Sequence, residues 1–293
     1  MKIYAFIVTY NRLELLKRTI QCLKEQSYKI TEIIVINNSS TDGTLEWLKK
    51  QNNIKVITQD NSGGAGGFHT GIEYCIKAGA EWIWMMDDDV FPRKDCLERL
   101  MKYKDISLCM QATRITNDGK RIEWNYSFNL NNVRVTSPKP YWNIISQQDY
   151  YEVETGCFEG MLIHASIVKK IGYPLSDFFI SGDDILYGKL ASKYTKVICI
   201  KDAIIDRYAN SYDKRYSPMY TYYSTRNIHL LLSKDTKINN GYTLSLKIQY
   251  FFYILRIILG VIRRKDCPNK YSICKAYYRG YIDSLKGLKG KTF

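Results

Sequence analysis

Residues Trp82-Ile83-Trp84-Met85-Met86 run without a break into Asp87-Asp88-Asp89, and Val90-Phe91-Pro92 close the segment. A short apolar run of this kind reads as a strand buried on both faces. Asp has low strand propensity, so the strand ends as the acids begin. In an open α/β sheet, ligands bind just beyond the carboxyl ends of strands. Three adjacent carboxylates repel one another unless a cation sits among them, and oxygen ligands suit Mg²⁺ or Mn²⁺. Successive residues of an extended segment point to opposite sides. Asp87 and Asp89 are therefore expected to face one ion, with Asp88 turned away. The alternative is an acidic turn that opens a helix over Phe91–Tyr103, its carboxylates near the positive helix end.

The flanking sequence repeats this strand-then-helix rhythm. Ile3–Thr9, Glu32–Ile36 and Ile54–Thr58 read as strands. After the first, Asn11 and Glu14 resemble a capping box, and Leu13, Leu16, Ile20 and Leu23 recur at helical spacing. After the second, the polar run Asn37–Thr44 opens a helix through Trp47 and Leu48. After the third comes Asn61-Ser62-Gly63-Gly64-Ala65-Gly66-Gly67-Phe68, then a helix to about Ala78. This alternation predicts a parallel sheet in right-handed βαβ units. The Gly-rich segment fits a dinucleotide fingerprint poorly, because that motif follows a first strand. Gly63, Gly64, Gly66 and Gly67 instead suggest a loop that lets backbone approach a sugar or diphosphate; a flexible turn is the alternative.

Further along, Trp124, Tyr126, Phe128, Tyr141 and Trp142 either line a groove or form ordinary core. Asp177–Gly188 repeats the opening motif: an apolar strand end delivers Asp183 and Asp184 to a helix start, with plain N-capping as the alternative. A helix near Tyr220–Leu232 carries Arg226, placed either to pair with phosphate or on a solvated face.

Composition bounds the setting. Basic residues exceed acidic ones by 14, and the region from Gly241 onward holds eleven basic residues against two acidic. Such a localised excess implies an anionic partner. Leu246–Ile262 is the most apolar stretch, closed by Arg263-Arg264-Lys265. As a helix its apolar core would span only about 20 Å, short of a bilayer. An interfacial helix with its cations on anionic headgroups is expected, a packed core helix being the alternative. The basic residues flank an apolar helix and do not interleave with aromatics along a groove, so nucleic acid is not the expected partner. The eight cysteines have no metal-ligand spacing and read as reduced thiols of a cytoplasmic protein. No secretory signal is expected in the apolar but short Lys2–Thr9.

Val8-Thr9-Tyr10-Asn11-Arg12, Asn37–Thr44, Asn61–Phe68, Asp87-Asp88-Asp89 and Asp183-Asp184 together resemble the inverting, metal-dependent family 2 glycosyltransferases of the GT-A fold. Gly63–Phe68 with the triple Asp is most similar to the bacterial galactofuranosyltransferases, and next to the rhamnosyltransferases. The resemblance implies an α/β GT-A domain over residues 1–235, followed by a helical, basic, membrane-associating region over 236–293. It implies that Thr9, Asn11, Asn38 and Asp42 contact the nucleoside; the glycines, Asp88 and Arg226 complete the expected donor site. Asp87 and Asp89 would hold Mn²⁺ or Mg²⁺. Relatives often place a histidine ligand further on; none stands there in this chain, and Asp206 is the nearest substitute. Asp184, or its neighbour Asp183, would be the general base. The implied partners are a nucleotide-sugar donor (a UDP-sugar), a glycan or lipid-linked acceptor, and an anionic membrane at the cytoplasmic face. An inactive sugar-nucleotide- or glycan-binding scaffold is the reading from another class.

Overall fold

The computed structural model describes residues 1–122, 127–129, 134–136, 148–208, 217–234 and 243–293. Trp124, Tyr126, Tyr141, Trp142 and the side chain of Phe128 lie outside what is described. The chain opens β1 (Ile3–Thr9), α1 (Leu13–Lys24), β2 (Glu32–Asn37), α2 (Thr44–Leu48), β3 (Ile54–Thr58), α3 (Gly63–Lys77) and β4 (Trp82–Asp87). β1 pairs in parallel with β2 on one side and β4 on the other, and β2 pairs in parallel with β3. The chain thus winds outward from β1 to β3 and then crosses back to place β4 on β1's free edge. That reversal makes the gap beyond the carboxyl ends of β1 and β4 a topological switch point, where α/β folds bind ligands.

Val90–Pro92 is a short strand, β5, and not the start of a helix; α4 begins only at Cys96 and ends at Met101. The antiparallel pairing of β5 with a late strand holds these residues extended. The rest of the sheet mixes directions: β6 (Cys109–Thr116), β7 (Arg121–Ile122), β10 (Tyr150–Val153), β11 (Met161–His164) and β12 (Val197–Arg207). Its path runs β10-β12-β6-β11-β4-β1-β2-β3, with β5 on β12 and β7 on β6; β8 (Ser127–Asn129) and β9 (Arg134–Thr136) form a separate pair. β11 runs antiparallel between β4 and β6.

Every residue of β1 is buried, as five apolar residues in an unbroken run require of β4. Alternate side chains feed two cores. Ile3, Ala5, Ile7, Trp84 and Met86 pack under α1 and α4, whereas Phe6, Val8, Ile83 and Met85 pack under α3 and α5 (Ala165–Ile171). Each fully buried aliphatic side chain contributes roughly 1.5–3 kcal/mol.

After α6 (Asp183–Ala191), the remaining helices are α7 (Pro218–Arg226), α8 (Ile228–Lys234), α9 (Leu244–Arg263) and α10 (Lys270–Leu285). The apolar helix is longer than the 246–262 stretch suggested. Its 20 residues rise about 30 Å, and its length and composition match a membrane span. One of its sides is nevertheless packed on protein: Leu246, Tyr250 and Ile254 share a core cluster with Ala65 of α3, Phe178 and Leu186 of α6. Its other sides expose Leu244, Ile248, Phe251, Phe252, Leu255, Leu259 and Ile262.

Candidate active site

The Gly-rich segment is not a loop. It forms the first two turns of α3, and its glycines serve packing more than access. A Cβ on Gly67 would lie 2.4 Å from Val8 Cγ1, and one on Gly66 would lie 2.0 Å from Ser62 Oγ. Gly63 has φ +74°, with the Phe179 carbonyl 2.1 Å from where a Cβ would stand. Of the four, Gly64 alone faces open space, and it borders a cavity at the sheet's carboxyl edge.

The loops after β1 and β2 are laced together. Asn11, itself at φ +53°, accepts from the Thr41 N–H at 2.7 Å. Asp42 accepts from the Leu13 N–H at 3.0 Å, satisfying a free donor at the start of α1. Asn38 is buried; its Nδ2 donates to the Gly63 carbonyl at 3.1 Å and its Oδ1 accepts from Gln59 at 2.8 Å. These residues shape the rim at the carboxyl ends of β1 and β2.

At the end of β4 the three acids diverge. Asp88 turns back under β1, where it accepts from Thr9 Oγ1 at 2.7 Å and from Arg12 at 3.2 Å. Burial pushes its carboxyl up to about 6, against the pull of Arg12 and Thr9. Asp87 and Asp89 face the other way and meet Glu159 of the loop before β11; one carboxylate oxygen from each lies within 4.8 Å of the others. Glu159 stands where Asp206 was expected. Asp206 follows β12 to the opposite face, because successive strand residues alternate, and there it pairs with Arg93 at 2.9 and 3.0 Å. Its neighbour Arg207 takes the inner face and reaches Glu159 at 3.0 Å.

The cluster is heavily charged. Arg12 also binds Asp89 at 3.0 Å, and the buried Arg114 contacts Glu159 at 2.8 Å and Cys157 Sγ at 3.0 Å. Asp184 feels Glu159 and Arg114 from across the cavity. Five carboxyl groups (Asp87, Asp88, Asp89, Glu159, Asp184) thus surround three guanidiniums. Asp89 Oδ1 is buried and has no hydrogen-bond partner. A hard, all-oxygen donor set with an orphaned carboxylate oxygen fits Mg²⁺ or Mn²⁺.

Asp183 and Asp184 open α6 behind a strained loop. Phe179 and Ser181 both have positive φ (63° and 71°), a conformation that only surrounding contacts sustain. Arg226 and Asn227 supply those contacts. Arg226 donates to the carbonyls of Asp177, Phe178 and Gly290, and Asn227 Nδ2 to those of Phe178, Ile180 and Ser181. Arg226 is therefore not free to take a phosphate: it is fully buried, and its donors hold the loop before α6 to the segment around Gly290. Burial raises the carboxyls of both Asp183 and Asp184 above the usual carboxylate range, and Asp184 adds a like-charge push on Asp183. Asp184 also accepts from the Ile185 N–H at 2.8 Å. A cavity of about 660 Å³ has Asp87, Glu159, Asp183 and Asp184 on its wall together with Arg12 and Gly64.

Glu159, Arg114 and Arg207 carry no motif that singles them out in sequence, and Arg12, which closes the Val8–Arg12 motif, carries no sign there of its acidic partners. A signal existed for one of them: Arg114 is the one charged residue of the strand Cys109–Thr116, and a buried guanidinium demands an acidic partner.

An open α/β sheet with acids converging at its switch point defines the GT-A architecture. The chain belongs to glycosyl transferase family 2, whose sequence profile matches residues 4–172. Galactofuranosyltransferase GlfT1 of Mycolicibacterium smegmatis is 29% identical over 187 residues, 62% of each chain. The match therefore spans less than two thirds of that protein. The dTDP-rhamnosyl transferase RfbF of Shigella flexneri is 24% identical over 301 residues, covering 98% of this chain and 97% of that one. Among solved structures, S. aureus TarS 1–349 superposes with a TM-score of 0.57 at 15% identity, over 98% of this chain and 92% of the other. GalNAc-T7, solved with UDP, GalNAc and Mn²⁺, gives 0.60 at 13% identity, over 98% and 56%. At such identities the superpositions speak for the fold.

Proposed function

We propose that this glycosyltransferase moves a sugar from a nucleotide-sugar donor to an acceptor hydroxyl with inversion, and that the donor is UDP-galactofuranose. The observation that carries the reaction is the convergence, on one cavity, of two acidic groups of different character. Asp87, Asp89 and Glu159 form an oxygen cage suited to Mn²⁺ or Mg²⁺, which when bound would act as a Lewis acid toward the leaving diphosphate. Asp184, with the more buried Asp183 behind it, is a partly buried base across the same cavity. Its carboxylate takes the proton of the acceptor hydroxyl as that oxygen attacks the anomeric carbon. One displacement assisted by one base on the opposite face inverts the centre. Gly64 borders the cavity, and Thr9, Asn11, Asn38 and Asp42 build the loops beside which the nucleoside would lie, with Asp88 bracing them through Thr9 and Arg12. The similarity to GlfT1 favours galactofuranose. The near full-length similarity to RfbF favours a second reading, a dTDP-rhamnose donor.

The acceptor is a cell-surface glycan or its lipid-linked precursor, and the protein works as a peripheral protein on the inner face of the cell membrane. The exposed apolar face of α9 and the adjacent Arg263-Arg264-Lys265 support that placement. The test is incubation of purified protein with Mn²⁺ and a panel of sugar nucleotides, scored by nucleotide diphosphate release. UDP release from UDP-galactofuranose alone supports the first reading, and dTDP release from dTDP-rhamnose the second. Release from neither, with acceptors present, overturns both.

A further inference from the structure

The cavity that holds the carboxylates does not end with them. Its far wall is built by the C-terminal helices: Tyr250, Tyr253, Ile254 and Ile257 of α9, and Tyr277 of α10. Ile228 and Leu231 of α8 complete that side. This half offers mostly hydrocarbon and ring faces, and several of its polar side chains are already engaged. Thr225 Oγ1 and Ser224 Oγ both donate to the Thr221 carbonyl, at 2.7 and 3.1 Å. Asn227 spends its amide on the loop before α6, and the Tyr250 hydroxyl donates to the Thr225 carbonyl at 2.9 Å. A sugar ring bound here would leave its hydroxyls without partners, at a cost of about 1–3 kcal/mol for each one desolvated. An alkyl chain has no hydroxyl to leave unpaired.

Continuity points the same way. Tyr253 belongs to the cavity wall yet is 43% exposed, and Phe252, beside it, is 62% exposed on the outer apolar face. Tyr253 thus carries ring surface from the cavity to the outside of a helix whose outer side is largely apolar, with Gln249 and Arg256 standing between it and Phe252. We propose that the apolar half of the cavity is an acceptor subsite that takes the hydrocarbon part of an amphiphilic glycoside, which enters along α9 and presents its sugar hydroxyl to Asp184. The proposal rests on the transferase reading above and narrows its acceptor to a lipid-linked one.

The probe is an octyl glucoside carrying a diazirine in its alkyl chain, photolysed with the intact protein below the micelle threshold. Label should map to the α9 and α10 peptides that hold Tyr253, Ile257 and Tyr277. Unlabelled octyl glucoside should compete at least about tenfold better than methyl glucoside, since each buried methylene adds a few-fold in affinity. Ile257→Asn and Tyr253→Ser should each cut labelling at least about fivefold. The wild-type map stands alone if either variant fails to fold. Label on the outer residues Phe252 and Leu259 without competition, or equal competition by methyl glucoside, overturns the subsite. A protein that turns over no sugar nucleotide contradicts the transferase reading instead, and leaves the labelling map to decide the subsite by itself.

Discussion

Among single residues, the two acids that open α6 divide the work most sharply. Asp184→Asn should keep nucleotide binding while transfer falls at least about 10²-fold, the scale of a lost general base. Nucleotide affinity and turnover measured side by side check this, and a loss confined to Asp183→Asn would move the base by one position. Burial raises both carboxyls, and the base acts only when ionised. Turnover should therefore fade with acidification at a higher pH than an ordinary Asp, near ~3.9, would give. Stability runs in the opposite sense. A raised folded value means the contribution is intact below the unfolded value and is lost as pH climbs through the folded one. Asp183→Asn should consequently gain in thermal midpoint over wild type as pH rises, with no gain near pH ~4. At the cage, Glu159→Gln should weaken Mn²⁺ binding at least about tenfold by calorimetry, whereas Asp206→Asn should not. Equal losses in both would return the third ligand to β12. The sequence showed Asp87, Asp89 and Asp184 because acids after apolar runs stand out. Glu159 stayed hidden because its partners, Arg114 and Arg207, come from strands 45 and 48 residues away in sequence.

Strand and helix positions were largely legible, because unbroken apolar runs and 3.6-residue spacing are local signals. Antiparallel β11, slotted between β4 and β6, was not, since pairing direction is set by contacts distant in the chain. The glycines of α3 show the same limit. Their composition says loop, yet the tight seat of α3 on β1 demands the missing side chains. Gly67→Ala should cost about 1–3 kcal/mol, because its Cβ would strike Val8 and overpacking strains a filled core. Gly64→Ala, with nothing within 4 Å, should instead hold or gain up to about 1 kcal/mol. Urea midpoints of the two variants decide the matter; equal losses would mean that the segment acts as a loop after all.

For the molecule as a whole, catalytic sheet and basic tail meet through α9, which faces the cavity on one side and solvent on the others. Replacing Arg263, Arg264 and Lys265 with Gln should weaken binding to anionic vesicles by roughly 3 kcal/mol, about a hundredfold, at ~1 kcal/mol per cation. Added salt should weaken the wild type in the same direction. Vesicle binding unchanged, with a lowered melting temperature, would make the tail a structural element only. One brace joins these distant parts: Arg226 grips both the Phe178 carbonyl, just ahead of α6, and the Gly290 carbonyl, more than a hundred residues later. During synthesis every acid of the cavity leaves the ribosome long before Gly290 does. A nascent chain can own all its reactive groups and still lack the clamp that aims its base. Only when the segment around Gly290 has been added can that brace close over the loop before α6.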